Sequence, residues 1–181
     1  MPDRSVLPGL LTLAGALCAL WASILLIRDG SAATEAAVLW WWLAVICDQL
    51  DGPLARALGA TSPRGALLDG LSDSVLYLLA PAAICLVSDA PLAGLAAFAL
   101  GLWRLSGDLT RDTKGVHFGL PAVVLVTGQA VLGWTPLAAW IWAVASGAWF
   151  LLVPRAPGWL RIPMGVAAVG TLGVVFSDLS A

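Results

Sequence analysis

The chain has 181 residues, of which 60% are hydrophobic and 11% charged, with a formal net charge of −2. Apolar runs of span length exclude an ordinary soluble domain and point to an integral membrane protein, and no basic face is present for reading nucleic acid. The three cysteines, Cys18, Cys47 and Cys85, fall in or at the end of apolar runs without metal or redox spacing, so they read as buried free thiols.

After a polar start containing Asp3 and Arg4, the first apolar segment runs from about Val6 to Ile27. Its length is that of a full span rather than the short core of a signal peptide, and more spans follow, so it is expected to be retained. Arg28-Asp29-Gly30 turns the chain into a second span, about Ala32 to Leu50, whose Trp40, Trp41 and Trp42 read as lipid-facing or packing surface. Thr61-Ser62-Pro63 breaks the helix, and a third span is expected from about Arg64 to Val87. Ser88-Asp89-Ala90-Pro91 forms a turn before a fourth span, about Leu92 to Leu109, with Arg104 and Asp108 near its polar end. The loop Thr110 to His117 is the most polar, and His117 reads as a loop histidine rather than a base. Phe118 to Val153 is too long for one span and divides at Trp134-Thr135-Pro136 into a fifth and a sixth. A basic loop, Pro154 to Pro163, precedes a glycine-rich seventh segment from about Met164 to Phe176.

Counting loops alternately places Arg4, Arg56, Arg64, Arg104, Arg111, Lys114, Arg155 and Arg161 on one side and only Arg28 on the other. That bias puts the larger group in the cytoplasm.

The most informative stretch is Asp48 to Asp73, on the cytoplasmic side of the second and third spans. Asp48 and Asp51 are three apart, and Asp69 and Asp73 four apart, so each pair shares a helix face. Two such helices meeting give a four-carboxylate cluster, expensive at membrane depth unless a hard divalent cation takes the oxygens as ligands. An incidental acidic loop has no reason to place its acids at helical spacing between apolar flanks. Gly52, Ala55 and Gly65 allow close approach, and Arg56 supplies a planar cation suited to phosphate. A metal site, an arginine and a cytoplasmic membrane interface together fit phosphoryl-type transfer to or from a lipid. A divalent-cation transporter is the alternative from another class, but the paired repeats and broken helices usual there are not evident.

Asp48, Asp51, Gly52, Ala55, Arg56, Gly65, Asp69 and Asp73 fill every fixed position of a pattern, D, two residues, DG, two residues, AR, eight residues, G, three residues, D, three residues, D. This resembles the signature of the CDP-alcohol phosphotransferase family, and chance would match it at roughly one start in 10⁹. The resemblance implies an all-α, polytopic transmembrane bundle forming a single domain over residues 1–181, with six core helices and an extra C-terminal one. It implies Mg²⁺ or Mn²⁺, two ions, held by Asp48, Asp51, Asp69 and Asp73, with Asp73 also the general base. Asp48, Asp51, Gly52, Ala55, Arg56 and Gly65 are implied to cradle CDP, and Arg104, Arg111 and Lys114 are candidates for the lipid-phosphate or acceptor pocket. A homodimer in the bacterial inner membrane, with its site facing the cytoplasm and CMP leaving, completes the expectation.

Beyond the signature, the chain resembles the phosphatidylserine synthase branch. Pro8-Gly9-Leu10-Leu11-Thr12, Leu68 to Asp73, Tyr77, Ala80-Pro81, Arg104-Leu105 and Gly119-Leu120-Pro121 carry that likeness. It implies phosphatidyl transfer from CDP-diacylglycerol to serine. Ser74 stands where glycerophosphate- and inositol-phosphate-using branches carry a cation. The chain departs from the serine branch at Gly9, Leu78 and Gly107-Asp108-Leu109, and Gly52 to Arg56 with Tyr77 also resembles bacterial phosphatidylcholine synthase, making choline or another small alcohol the second expectation.

Overall fold

A computed structural model describes residues 6–111, 119–132 and 135–152. Over these residues the chain is helical, without strands, in six helices: α1 (Val6–Asp29), α2 (Thr34–Ala57), α3 (Pro63–Val87), α4 (Pro91–Arg111), α5 (Gly119–Leu132) and α6 (Pro136–Leu152). The expected seventh segment, 164–176, lies outside the described residues.

Side-chain size decides which way each helix faces. The buried face of α1 is Pro8, Thr12, Gly15, Ala19, Ala22, Ser23 and Leu26, all but Leu26 compact residues at helical spacing, while Leu10, Leu13, Leu17 and Trp21 face outward. A helix in lipid gains nothing by hiding leucine, so small residues go inward, where backbones approach closely. α1 lies along α2 and also meets α3; α4 packs on α3 and α6, and α5 closes against α2, α3 and α6. α1 and α3 are each long and apolar enough to cross a membrane, and Pro91–Ser106 and α6 are shorter apolar helices. The architecture is an all-α membrane helical bundle.

The second helix outruns its predicted end. It continues through Pro53 to Ala57, carrying Asp48, Asp51, Gly52, Ala55 and Arg56 on one rigid element. It stops where Gly59, at φ 60°, lets the Gly59 N–H reach Arg56 O at 3.1 Å and the Ala60 N–H reach Ala55 O at 2.8 Å. This is a glycine-terminated helix end. Ser62 then caps α3, its Oγ accepting the Gly65 N–H at 3.1 Å with Pro63 in the first turn. The predicted break at Thr61-Ser62-Pro63 is thus a cap, and the stop comes earlier at Gly59.

α3 is not uniform. It is α-helical to Ser74, widens into a π turn over Val75–Leu79, and resumes from Ala80. Pro81 explains the change, because it offers no N–H to the carbonyl of Tyr77 and its ring crowds that carbonyl. The Ala80 N–H bonds Val75 O instead, and the Leu76 carbonyl accepts the indole N–H of Trp41 at 2.8 Å. Of the tryptophan triplet, Trp40 faces outward while Trp41 and Trp42 are core.

α3 and α4 pack almost backbone to backbone. A Cβ on Gly94 would lie 2.8 Å from Cys85 Cβ and 2.9 Å from Ala82 O. Gly94→Ala is expected to cost on the order of 1–3 kcal/mol, read as a lowered unfolding temperature in detergent; an unchanged temperature would mean that this contact does not hold the pair together.

Candidate metal centre and its surroundings

α2 and α3 cross so that Asp48, Asp69 and Asp73 each present one carboxylate oxygen within 4.8 Å of the others. Asp69 and Asp73 share a face because they are four apart on the regular part of α3. Asp48 meets them from the C-terminal half of α2. At such separations two carboxylate charges repel by on the order of 3 kcal/mol per pair, taking an effective dielectric of about 20. Three hard oxygen donors so arranged fit Mg²⁺, Mn²⁺ or Ca²⁺ by donor type.

Asp51 is placed differently from the expected four-carboxylate cluster. It lies outside the 4.8 Å group, buried one turn further along α2, and its Oδ2 accepts a hydrogen bond from Thr12 Oγ1 of α1. Three residues turn a helix by about 300°, so Asp51 is offset from Asp48 and points toward α1. Thr12 Oγ1 also lies 3.0 Å from Pro8 O, and its own carbonyl takes the Ser72 hydroxyl of α3 at 3.4 Å. The start of α1 is therefore fastened to both acid-bearing helices.

Arg56 folds back one turn over Gly52. A Cβ on Gly52 would sit 3.4 Å from Arg56 Nη1 and 3.8 Å from Nη2, so glycine leaves the exposed guanidinium room to lie along the helix. Ala55 is half-buried, and Gly65 is exposed at the start of α3, where a Cβ would come within 3.2 Å of Ser62 Oγ. Arg104 is half-buried on α4. Arg111 ends α4 with its side chain outside the described residues, and Lys114 and His117 lie outside them altogether.

Sequence reasoning missed two neighbours of the acids. Thr12 was legible only as part of a short motif, with nothing to say that its hydroxyl reaches Asp51. Tyr77 donates its hydroxyl to Asp48 Oδ2 at 2.7 Å, an oxygen that also takes Gln49 Nε2 at 3.1 Å. Leu78, a departure from the serine branch, is buried against Gly101 of α4, where a Cβ would come within 2.3 Å of Leu78 Cδ2. The larger residue on α3 is accommodated by the smallest on α4.

The model of the CDP-alcohol phosphatidyltransferase family matches residues 5–172. The chain belongs to that family. Among curated proteins it is similar to a phosphatidylcholine synthase of Brucella melitensis, 38% identical over 79 residues, a stretch covering 40% of this chain and 27% of the relative. The chain thus spans about a quarter of the length of that curated relative. No solved structure matches. Divalent-metal use, a property of the family, agrees with the aspartate cluster.

Thr12→Val keeps the shape and removes the bond to Asp51, and is expected to destabilise the protein by about 1.5–3 kcal/mol, as for a hydrogen bond to a charged group. Thr12→Ser should restore most of that. Equal unfolding temperatures for all three proteins would show that the Thr12 hydroxyl contributes nothing.

Proposed function

We propose that this chain transfers a phosphatidyl group from CDP-diacylglycerol to a small nitrogen-bearing alcohol, releasing CMP, at a site facing the cytoplasm of a bacterial inner membrane. The observation that carries this reading is the convergence of Asp48, Asp69 and Asp73 from two helices, with Asp51 and Arg56 on the same helix as Asp48. Asp48, Asp51, Asp69 and Asp73 would hold Mg²⁺ or Mn²⁺, two ions. Such ions, when bound, neutralise the pyrophosphate and improve CMP as a leaving group.

The remaining work falls to the chain itself. Arg56 grips a phosphate through its planar fork, and Gly52 and Ala55 keep that approach free of bulk. Gly65 does the same at the start of α3. Asp73 takes the proton from the acceptor hydroxyl as its oxygen attacks the diacylglycerol-side phosphorus. Arg104, Arg111 and Lys114 are assigned to lipid phosphate or the acceptor. The active form is a homodimer.

Serine is the acceptor supported by the Pro8 to Thr12, Leu68 to Asp73 and Gly119 to Pro121 features. Choline is the second reading, supported by the likeness to a phosphatidylcholine synthase and by Gly52 to Arg56 with Tyr77.

The deciding assay follows CMP release by purified protein in detergent, with CDP-diacylglycerol and Mg²⁺ or Mn²⁺, offering serine, choline, glycerol 3-phosphate, inositol and inositol phosphate separately. Release that depends on serine supports the first reading, and on choline the second. Release with neither, from protein that binds CDP, rejects both. Asp73→Asn should abolish turnover; retained turnover removes its role as base. Arg56→Lys should raise the Michaelis constant for the donor about tenfold, the loss of roughly 1.4 kcal/mol of fork geometry, and an unchanged constant argues against phosphate contact.

A further inference from the structure

Tyr77 lies outside the eight-position signature, yet it reaches into the acidic cluster. It is the only tyrosine in the chain. Its ring is buried, and its hydroxyl donates to Asp48 Oδ2 at 2.7 Å.

Regular helix geometry brings it only part of the way, onto the face of Asp73 one turn on. Tyr77 follows Asp73 by four residues and Asp69 by eight, so an unbroken α-helix would rotate it about 80° away from Asp69. The π turn over Val75–Leu79 contains an extra residue, and a wider turn advances each residue by a smaller angle. Tyr77 thereby stays over the acidic face. The turn is held open from two sides. Pro81 withholds an N–H, and Trp41 of α2 donates to the freed Leu76 carbonyl at 2.8 Å while standing edge-on to the Tyr77 ring at 6.5 Å and 83°. Trp41 and Asp48 lie two turns apart on α2, so the helix that carries the carboxylate also braces the turn that delivers its donor.

We infer that Tyr77 is a positioning residue, whose hydroxyl fixes the Asp48 carboxylate in the orientation that joins Asp69 and Asp73 around a divalent cation. The inference rests on the metal reading given above. Hydrogen-bond partners behind metal ligands set ligand orientation, and their removal typically weakens metal binding by about 10–100-fold. Tyr77→Phe deletes one oxygen and keeps the ring against Trp41.

The test is direct Mn²⁺ titration of the full-length protein in detergent without substrate, reading free Mn²⁺ by electron paramagnetic resonance, alongside unfolding temperature. Wild type should bind, Asp69→Asn should bind weakly, and Tyr77→Phe should bind about 10-fold or more weakly while remaining folded. A structural role alone would lower the unfolding temperature and leave the affinity of folded protein unchanged, which overturns the inference. Wild type without affinity, or Asp69→Asn equal to wild type, overturns the metal reading and this inference with it. Wild type carrying ¹³Cζ-tyrosine needs no substitution and gives one tyrosine resonance, that of Tyr77. Saturating Mg²⁺ should shift it as the carboxylate accepting its proton engages the ion. A resonance unmoved by Mg²⁺, from protein that binds the ion, rejects Tyr77 as the residue that holds Asp48.

Discussion

Carboxylates brought together inside an apolar bundle repel one another and lose their hydration, and most of what is distinctive in this structure exists to hold them there. Asp48, Asp69 and Asp73 converge within 4.8 Å on two helices that must keep a fixed crossing. α2 runs unbroken past Pro53 so that Asp48 and Arg56 belong to one rigid body. α3 begins at a defined cap on Ser62, which fixes where Asp69 and Asp73 fall on the helix surface. Thr12 ties the start of α1 to Asp51, and Tyr77 holds Asp48. A bound cation would complete the balance, since half-buried like charges are costly without compensating partners.

The packing that supports this arrangement is that of a membrane protein. Large apolar side chains on α1 face outward, and small ones line its contact with α2 and α3. Close approach is most acute at Gly94 and Gly101 of α4, which meet Cys85, the Ala82 backbone and Leu78. Such contacts give precise helix placement without a hydrophobic driving force, because van der Waals fit between backbones takes its place. Buried tryptophans add directional bonds: Trp41 reaches Leu76 O, and Trp142 of α6 reaches Pro121 O of α5 at 2.8 Å. The Leu76 carbonyl is the one that the π turn before Pro81 leaves free.

Family and acceptor rest on different parts of the chain. The aspartate signature and the match over residues 5–172 fix the family. Departures from the serine branch concentrate elsewhere. At Leu78 the consequence is visible, since a buried leucine is housed by Gly101 and the α3–α4 contact is kept. That substitution is absorbed by the core, so it is poor grounds for choosing between serine and choline.

The sequence alone marked the acids that converge and the six apolar segments that the described residues carry. Helical spacing of Asp69 and Asp73 was legible because periodicity on one helix needs no tertiary information, and the division near Thr135-Pro136 was legible because proline acts on its own backbone. The end of α2 was misplaced by several residues, since Gly59 rather than Pro63 stops it and Pro53 is tolerated within it. Only the tertiary structure separated Asp51 from the three other acids, because the partner that draws it aside, Thr12, lies 39 residues away on another helix. Only the tertiary structure made Tyr77 a neighbour of Asp48. Pro81 marks a disturbance in the sequence, but whether the freed carbonyls produce a kink, a break or a π turn depends on what stands opposite. Here Trp41 stands opposite, and the turn it stabilises carries Tyr77 to Asp48.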